Sequence, residues 1–322
     1  MLFTREAIQS AQRTVYAAMP PTPQYNWPLL KQELGFDVWV KHENHTPLGA
    51  FKVRGGLTYI EWLRRTHPEV RHVISATRGN HGQSIGFAAR QHGLNATVIA
   101  PHGNSIEKNA AMCALGVELV EYGEDFQASS EHAALLAERD GLHRVPSYHP
   151  ELVRGVATAY VEFFEALRDT PPDVLYVPIG LGSGITAAAV ARTHCGVKTR
   201  LIGVVSTLAL AYQKSFRSGV PTDAPATTAI ADGVACRSAV PEAVDVIRRE
   251  VDDVIAVSDE EVASAMRLIY TATHNVAEGA GAAALAAAIQ QRDRWSGKRV
   301  GVALTGGNVD AAVFARVLRN EM

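Results

Sequence analysis

The feature that most constrains this chain is a repeated order. Short runs that are apolar on both faces are separated by helical segments. The runs are residues 73–76, 96–100, 117–122, 174–178, 201–205 and 300–304, and helical patterns occupy 80–91, 106–115, 126–139 and 185–193. A strand with no polar face cannot lie against water. It belongs in a parallel sheet covered on both sides by helices. The fold class is therefore α/β. A chain of 322 residues exceeds one comfortable hydrophobic core, so two lobes are expected. The pattern suits a small α/β domain at 67–148 inserted into a larger domain made of 1–66 and 149–322.

Several function classes fall away. The formal net charge is −2 and no basic stripe is present, so nucleic acid is not an expected partner. Residues 1–20 lack a continuous apolar segment, so no signal peptide is expected. The Ala-rich stretch 279–289 is too short to span a bilayer and reads as a buried helix. Cys113, Cys195 and Cys236 form neither a CxxC pair nor a zinc spacing, which suits a reducing cytoplasm.

In open parallel sheets, ligands sit beyond the carboxyl ends of the strands, so the residues just after each strand carry the most information. Four segments stand out. In Glu43-Asn44-His45-Thr46-Pro47-Leu48-Gly49-Ala50-Phe51-Lys52-Val53-Arg54-Gly55-Gly56, a turn leads into a helix beginning near Ala50. Lys52 falls in its first turn, where the helix dipole opposes a cation. Two readings stand for it. It is a surface lysine snorkelling from an amphipathic face, or an amine whose pKa is depressed for Schiff-base chemistry. The other six lysines read as lying in polar or terminal contexts, which leaves Lys52 as the nucleophile candidate.

The second segment, Ser75-Ala76-Thr77-Arg78-Gly79-Asn80-His81-Gly82-Gln83, joins a strand to a helix. It is a polar helix cap or an anion site built from free N–H groups, with Arg78 able to fork onto a carboxylate. His81 alone reads as a packed helix histidine. The third, Val177-Pro178-Ile179-Gly180-Leu181-Gly182-Ser183-Gly184-Ile185, has alternate glycines that let the backbone wrap a phosphate. A dinucleotide-binding loop needs an acidic residue about 20 residues on. The next strand ends in Val204-Val205-Ser206-Thr207, which argues against a nucleotide-binding oxidoreductase. The fourth is Leu304-Thr305-Gly306-Gly307-Asn308-Val309-Asp310, read either as a helix cap at Asn308 or as a site floor carrying the Thr305 hydroxyl.

Taken in order, these segments resemble the fold-type II pyridoxal-phosphate (PLP) enzymes, and most of all their threonine dehydratase and serine racemase branch. The resemblance rests on Ala50-Phe51-Lys52-Val53-Arg54-Gly55, Arg78-Gly79-Asn80-His81-Gly82-Gln83, Ile230-Ala231-Asp232-Gly233-Val234 and Gly306-Gly307-Asn308-Val309-Asp310. It implies two open, twisted parallel-sheet lobes. It also implies a β-elimination that turns a β-hydroxy-α-amino acid into a 2-keto acid and ammonia. By resemblance, Lys52 carries PLP as a Schiff base and removes the α-proton, and Phe51 and Gly233 flank the ring. Asn80 bonds the ring 3′-oxygen, Gly180, Gly182, Ser183 and Gly184 hold the phosphate, Thr305 meets the ring nitrogen, and Glu278 lies near the ring. Thr77, Arg78, Gly79, Asn80 and His81 form the substrate loop. A cytoplasmic homodimer in amino-acid catabolism fits the family.

The chain departs from the family in four places. The phosphate loop reads Gly-Leu-Gly-Ser-Gly rather than an unbroken glycine run, and Gly279 stands where the family often has Pro after Glu278. The strand read here as Gly203-Val204-Val205-Ser206-Thr207-Leu208-Ala209-Leu210 lacks, at its end, the acidic ligands of the family's divalent-cation site, so no metal is expected. Arg78 replaces the serine with which racemases reprotonate the opposite face, which disfavours racemisation. The sequence stops soon after Asp310, so the regulatory domain of biosynthetic threonine dehydratases is not expected. A β-replacement synthase is the nearest rival. Threonine, serine, 3-hydroxyaspartate, a phenylserine-like compound and a hydroxyectoine breakdown product all remain open as substrates.

Overall fold

The computed structural model describes residues 3–322. Its strands are β1 Gln24–Asn26, β2 Asp37–His42, β3 His72–Ala76, β4 Asn95–Ala100, β5 Glu118–Glu121, β6 His143–Arg144, β7 Val174–Pro178, β8 Arg200–Ser206, β9 Asp253–Val257 and β10 Arg299–Leu304. Its helices are α1 Arg5–Tyr16, α2 Pro28–Leu34, α3 Lys52–Thr66, α4 Asn80–Gln91, α5 Ile106–Ala114, α6 Phe126–Asp140, α7 Pro150–Ala166, α8 Ser183–Cys195, α9 Ala211–Ser218, α10 Pro241–Glu250, α11 Asp259–Thr273, α12 Gly279–Gln290 and α13 Ala311–Leu318.

The strands form two sheets. One has six strands in the order β1-β2-β10-β7-β8-β9, and the other has four in the order β5-β4-β3-β6. Every pairing is parallel except β1 with β2. The inner strands of each sheet bury both faces, as their apolar runs require, whereas the edge strand β5, read from the sequence as apolar on both faces, leaves Glu118 and Glu121 exposed. In the larger sheet, Val174 belongs to the cluster that includes Val262 of α11 and Leu285 of α12, while the next residue, Leu175, belongs to a second cluster with Phe163 of α7 and Ile185 of α8. In the smaller sheet, Val73 packs with Ile60 and Ile85, and Ile74 with Ile99 and Ala133. The Ala-rich stretch is indeed a buried helix, α12. No helix among the described residues is long and apolar enough to cross a membrane.

Close helix packing sets the height of α3. A Cβ at Gly155 of α7 would lie 2.1 Å from the Arg54 carbonyl oxygen, and one at Gly56 would lie 2.2 Å from Ser84 Oγ of α4. Helix α3 begins at Lys52, slightly later than the sequence pattern suggests. Ala50 instead bridges to Gly306 in an isolated antiparallel pair. The Phe51 N–H donates to the Thr305 carbonyl at 3.0 Å. The lysine turn is thus tied to the end of β10.

Two lysines differ from their sequence reading. Lys41 and Lys108 have polar neighbours in the chain, yet both are buried. Lys41 Nζ lies 2.7 Å from Glu162 Oε2, and Arg54 joins the same cluster through Glu43 at 2.7 Å and Glu162 at 2.6 Å. Thr22 completes it, accepting from the guanidinium at 3.1 Å and donating to Glu43 at 2.5 Å. Carboxylates brought from distant segments neutralise these cations, which makes their burial tolerable.

Candidate active site

The carboxyl ends of β3, β7 and β10 open on one hollow, and the start of α3 enters it from the side. Lys52 stands at that entry. Its carbonyl accepts a hydrogen bond from Ser84 Oγ at 2.6 Å, and its Nζ lies 4.8 Å from the centre of the Phe51 ring. Burial pushes the Lys52 pKa below the ordinary lysine value. Nearby Cys236 and Glu278 oppose this shift without reversing it. Lys52 Nζ has no ion-pair partner among the described residues.

All ten residues expected to hold a cofactor border one cavity. Phe51, Lys52 and Asn80 lie on one side, the loop Gly180, Gly182, Ser183 and Gly184 on another, and Gly233, Glu278 and Thr305 close it. The loop after β7 has little freedom. A Cβ at Gly180 would come within 2.4 Å of the Gly233 carbonyl oxygen, and Gly182 has φ 95°, a region that favours glycine. The loop opens α8, where the first N–H groups lack intrahelical acceptors. Ser183 is buried at this N-terminus.

All five residues expected to meet substrate border an adjoining cavity that also contains Lys52. Thr77 Oγ1 accepts from the Gly79 N–H at 3.0 Å, fixing the turn into α4. Gly79 has φ 151°, and a Cβ there would strike Lys108 Cδ at 2.5 Å. The Asn80 amide is held from both ends. Its Nδ2 donates to Glu278 Oε1 at 2.7 Å, and its Oδ1 accepts from Asn308 Nδ2 at 2.8 Å. Burial and then the Lys52 charge push His81 down to about 3, so its ring is neutral at pH 7. His81 Nε2 and Arg78 Nε are buried without hydrogen-bond partners.

Three further residues belong to the site. Lys108 Nζ lies 2.7 Å from Asp232 Oδ2 and 3.1 Å from Glu278 Oε2. Burial opposes its charge, but Glu278 and Asp232 together hold its pKa above the ordinary value. Burial pushes the Glu278 carboxyl up, against the pull of Lys108. Cys236 borders the substrate cavity; burial pushes its thiol up to about 12, opposed by Lys52 and Arg78. Asp232 sits inside a family-like motif, which is a signal of sorts. Nothing local marks Lys108 or Cys236. Among the described residues no three His, Cys, Asp or Glu side chains group as a metal-ligand set.

Two helix-covered parallel sheets, with an unpaired lysine facing a glycine-rich anion cradle, define an α/β enzyme of fold-type II. A model of the family "Pyridoxal-phosphate dependent enzyme" matches residues 15–306, and the chain belongs to that family. It is 30% identical to an L-threonine ammonia-lyase of Thermotoga maritima over 98% of this chain and 78% of that protein. It is 31% identical to a serine racemase of Schizosaccharomyces pombe over 99% and 98%. It is 33% identical to an L-threo-3-hydroxyaspartate ammonia-lyase of a Pseudomonas species over 92% and 93%. The solved structure of processed threonine deaminase isoform 2 from Solanum lycopersicum superposes with a TM-score of 0.90 at 25% identity, covering 98% of this chain and 87% of that one.

The residues present fit PLP. The cradle that a Cβ at Gly180 would fill and the N-terminus of α8 suit its phosphate. The unpaired amine of Lys52 suits its aldehyde. Thr305, buried at the end of β10, offers a neutral hydroxyl to its ring.

Proposed function

We propose that this chain is a PLP-dependent ammonia-lyase that removes water and then ammonia from a β-hydroxy-α-amino acid, releasing a 2-keto acid. The observation that carries this reading is Lys52, a part-buried amine facing the cavity that no carboxylate pairs with. When bound, the cofactor supplies an electron sink for the charge left at the substrate α-carbon. Lys52 holds the cofactor and, once freed, takes the α-proton at Nζ. Asn80, oriented by Glu278 and Asn308, binds the ring oxygen through Nδ2. The N–H groups of Gly180, Gly182 and Gly184, with Ser183 N–H and Oγ, bind the phosphate. Thr305 Oγ1 meets the ring nitrogen, and Phe51 and Gly233 flank the ring. The loop Thr77, Gly79, Asn80 and His81 takes the α-carboxylate at the N-terminus of α4, where N–H groups point outward.

A lyase is favoured over a racemase because reprotonation from the opposite face needs a group that can give up a proton, and the Arg78 guanidinium cannot do so. The same proposal includes the division into 1–66 with 149–322 around the cofactor and 67–148 as a smaller domain. Residence in a reducing cytoplasm and assembly as a homodimer are part of it too. The unpaired state of Cys113, Cys195 and Cys236 supports the reducing compartment.

The test is release of keto acid and ammonia from hydroxy amino acids with no added nucleophile. Turnover that appears only when a thiol or other nucleophile is supplied would convert the reading to a β-replacement synthase.

A further inference from the structure

We propose that Arg78 is the receptor for a second anionic group on the substrate. The preferred β-hydroxy-α-amino acid then carries a carboxylate on its β-carbon or one carbon beyond. This rests on the ammonia-lyase reading above and names the substrate class for that site.

Four observations carry it. Arg78 borders both the cavity that holds Lys52 and a neighbouring chamber of about 320 Å³, so a substrate side chain that extends from Lys52 toward that chamber meets it. Its Nε is buried with no partner. A guanidinium presents a planar fork of donors that matches a carboxylate, and no carboxylate of the described residues fills it.

The other cations around the two cavities are already neutralised. Lys108 is held by Asp232 and Glu278, and Arg237 by Asp125 at 3.2 Å. Arg78 is therefore the surplus positive charge on the substrate side. The α-carboxylate has its own donors, the first N–H groups of the 12-residue helix α4, so it leaves the fork free. Phe126 and Leu181, which border both cavities, keep the surroundings apolar and strengthen a charge-assisted contact.

The experiment measures kcat/KM of the holoenzyme for L-serine, L-threonine, L-threo-3-hydroxyaspartate and 3-hydroxyglutamate, in the wild type, Arg78→Gln and Arg78→Lys. A second measurement reads inhibition by succinate against inhibition by butyrate in the wild type, which needs no folded variant. Removing one partner of a desolvated charge pair typically weakens binding about 30-fold or more.

The expected result is that Arg78→Gln loses at least about 30-fold more on an acidic substrate than on serine, with part of the loss restored in Arg78→Lys. Succinate should inhibit at least about 10-fold more tightly than butyrate. Equal losses across the panel, or equal inhibition by the two acids, would overturn the assignment, because the fork would then be holding the α-carboxylate. If no substrate gives keto acid, binding of the two acids is read instead from the absorbance of the holoenzyme. Tighter binding of succinate than of butyrate that is lost in Arg78→Gln would then uphold Arg78 and overturn the ammonia-lyase reading.

Discussion

Lys52 and Lys108 border the same cavity and have opposite chemistry. Lys108 meets two carboxylates at 2.7 and 3.1 Å and is held in its charged form. Lys52 meets none, and burial tips it toward the neutral amine. Lys41, deeper still, also has a carboxylate partner in Glu162, although there burial outweighs it and pushes the Lys41 pKa below the ordinary value. Burial alone therefore does not make a lysine reactive. Here the lysines paired with carboxylates serve as structural cations, and the lysine left unpaired at the cavity wall is the one free to act as base and nucleophile.

The largest effect should come from removing the reactive member. Lys52→Ala should lower turnover by about 10³–10⁴-fold or more and leave PLP on the protein without a borohydride-reducible link to a lysine, read by absorbance and peptide mapping. Persistence of wild-type turnover would sink the proposed mechanism. Next is the structural member. Lys108→Met leaves the buried Glu278 and the part-exposed Asp232 without their cation and should cost about 3 kcal/mol of stability, read from the denaturant midpoint. Adding Glu278→Gln should return part of that loss, and strict additivity would show that the pair does not act as a unit.

The comparison can also be inverted. Cys236→Asp would give Lys52 the carboxylate it lacks and raise its pKa by about one unit or more. The rate at which apoprotein takes up PLP requires the neutral amine, so its rise with pH should move upward by the same amount. An unmoved profile would mean that a different group controls uptake.

The last effect is confined to acid pH and concerns His81. Its folded pKa of about 3 lies below the ordinary value near 6.5, so the unfolded chain takes the proton first as pH falls. His81 should make stability fall with acid between about pH 6.5 and 3, by up to about 1.4 kcal/mol per pH unit. His81→Asn should flatten that slope in a pH series of thermal midpoints.

Much of this site was legible in the sequence, because its parts are backbone turns with a fixed residue chemistry. The glycine loop after β7, the Asn80 turn after β3 and Thr305 after β10 come directly after runs that have no polar face to show. The strands β2 and β9 are harder to see. Asp37 and Lys41 interrupt the apolar pattern of β2, and the groups that neutralise them, such as Arg299 at 3.0 Å from Asp37 and Glu162, come from far along the chain. The same distance hides Lys108, whose neighbours Glu107 and Asn109 look like a solvated helix face. Local sequence reports local polarity, whereas burial of a charge depends on partners that only the completed fold supplies.

The tie between Phe51 and Thr305 has a consequence for how the protein is made. Strand β10 sits inside the six-stranded sheet, between β2 and β7, although it follows the other nine strands in chain order. Until residues 299–304 arrive, β2 and β7 have no strand between them, and the turn that carries Lys52 lacks its tie to Thr305. Domains form as synthesis proceeds from the N-terminus, so the four-stranded sheet can fold while this site is still open. Before β10 is in place the Lys52 turn lacks this anchor, so capture of a reactive aldehyde at Lys52 depends on the assembled six-stranded sheet.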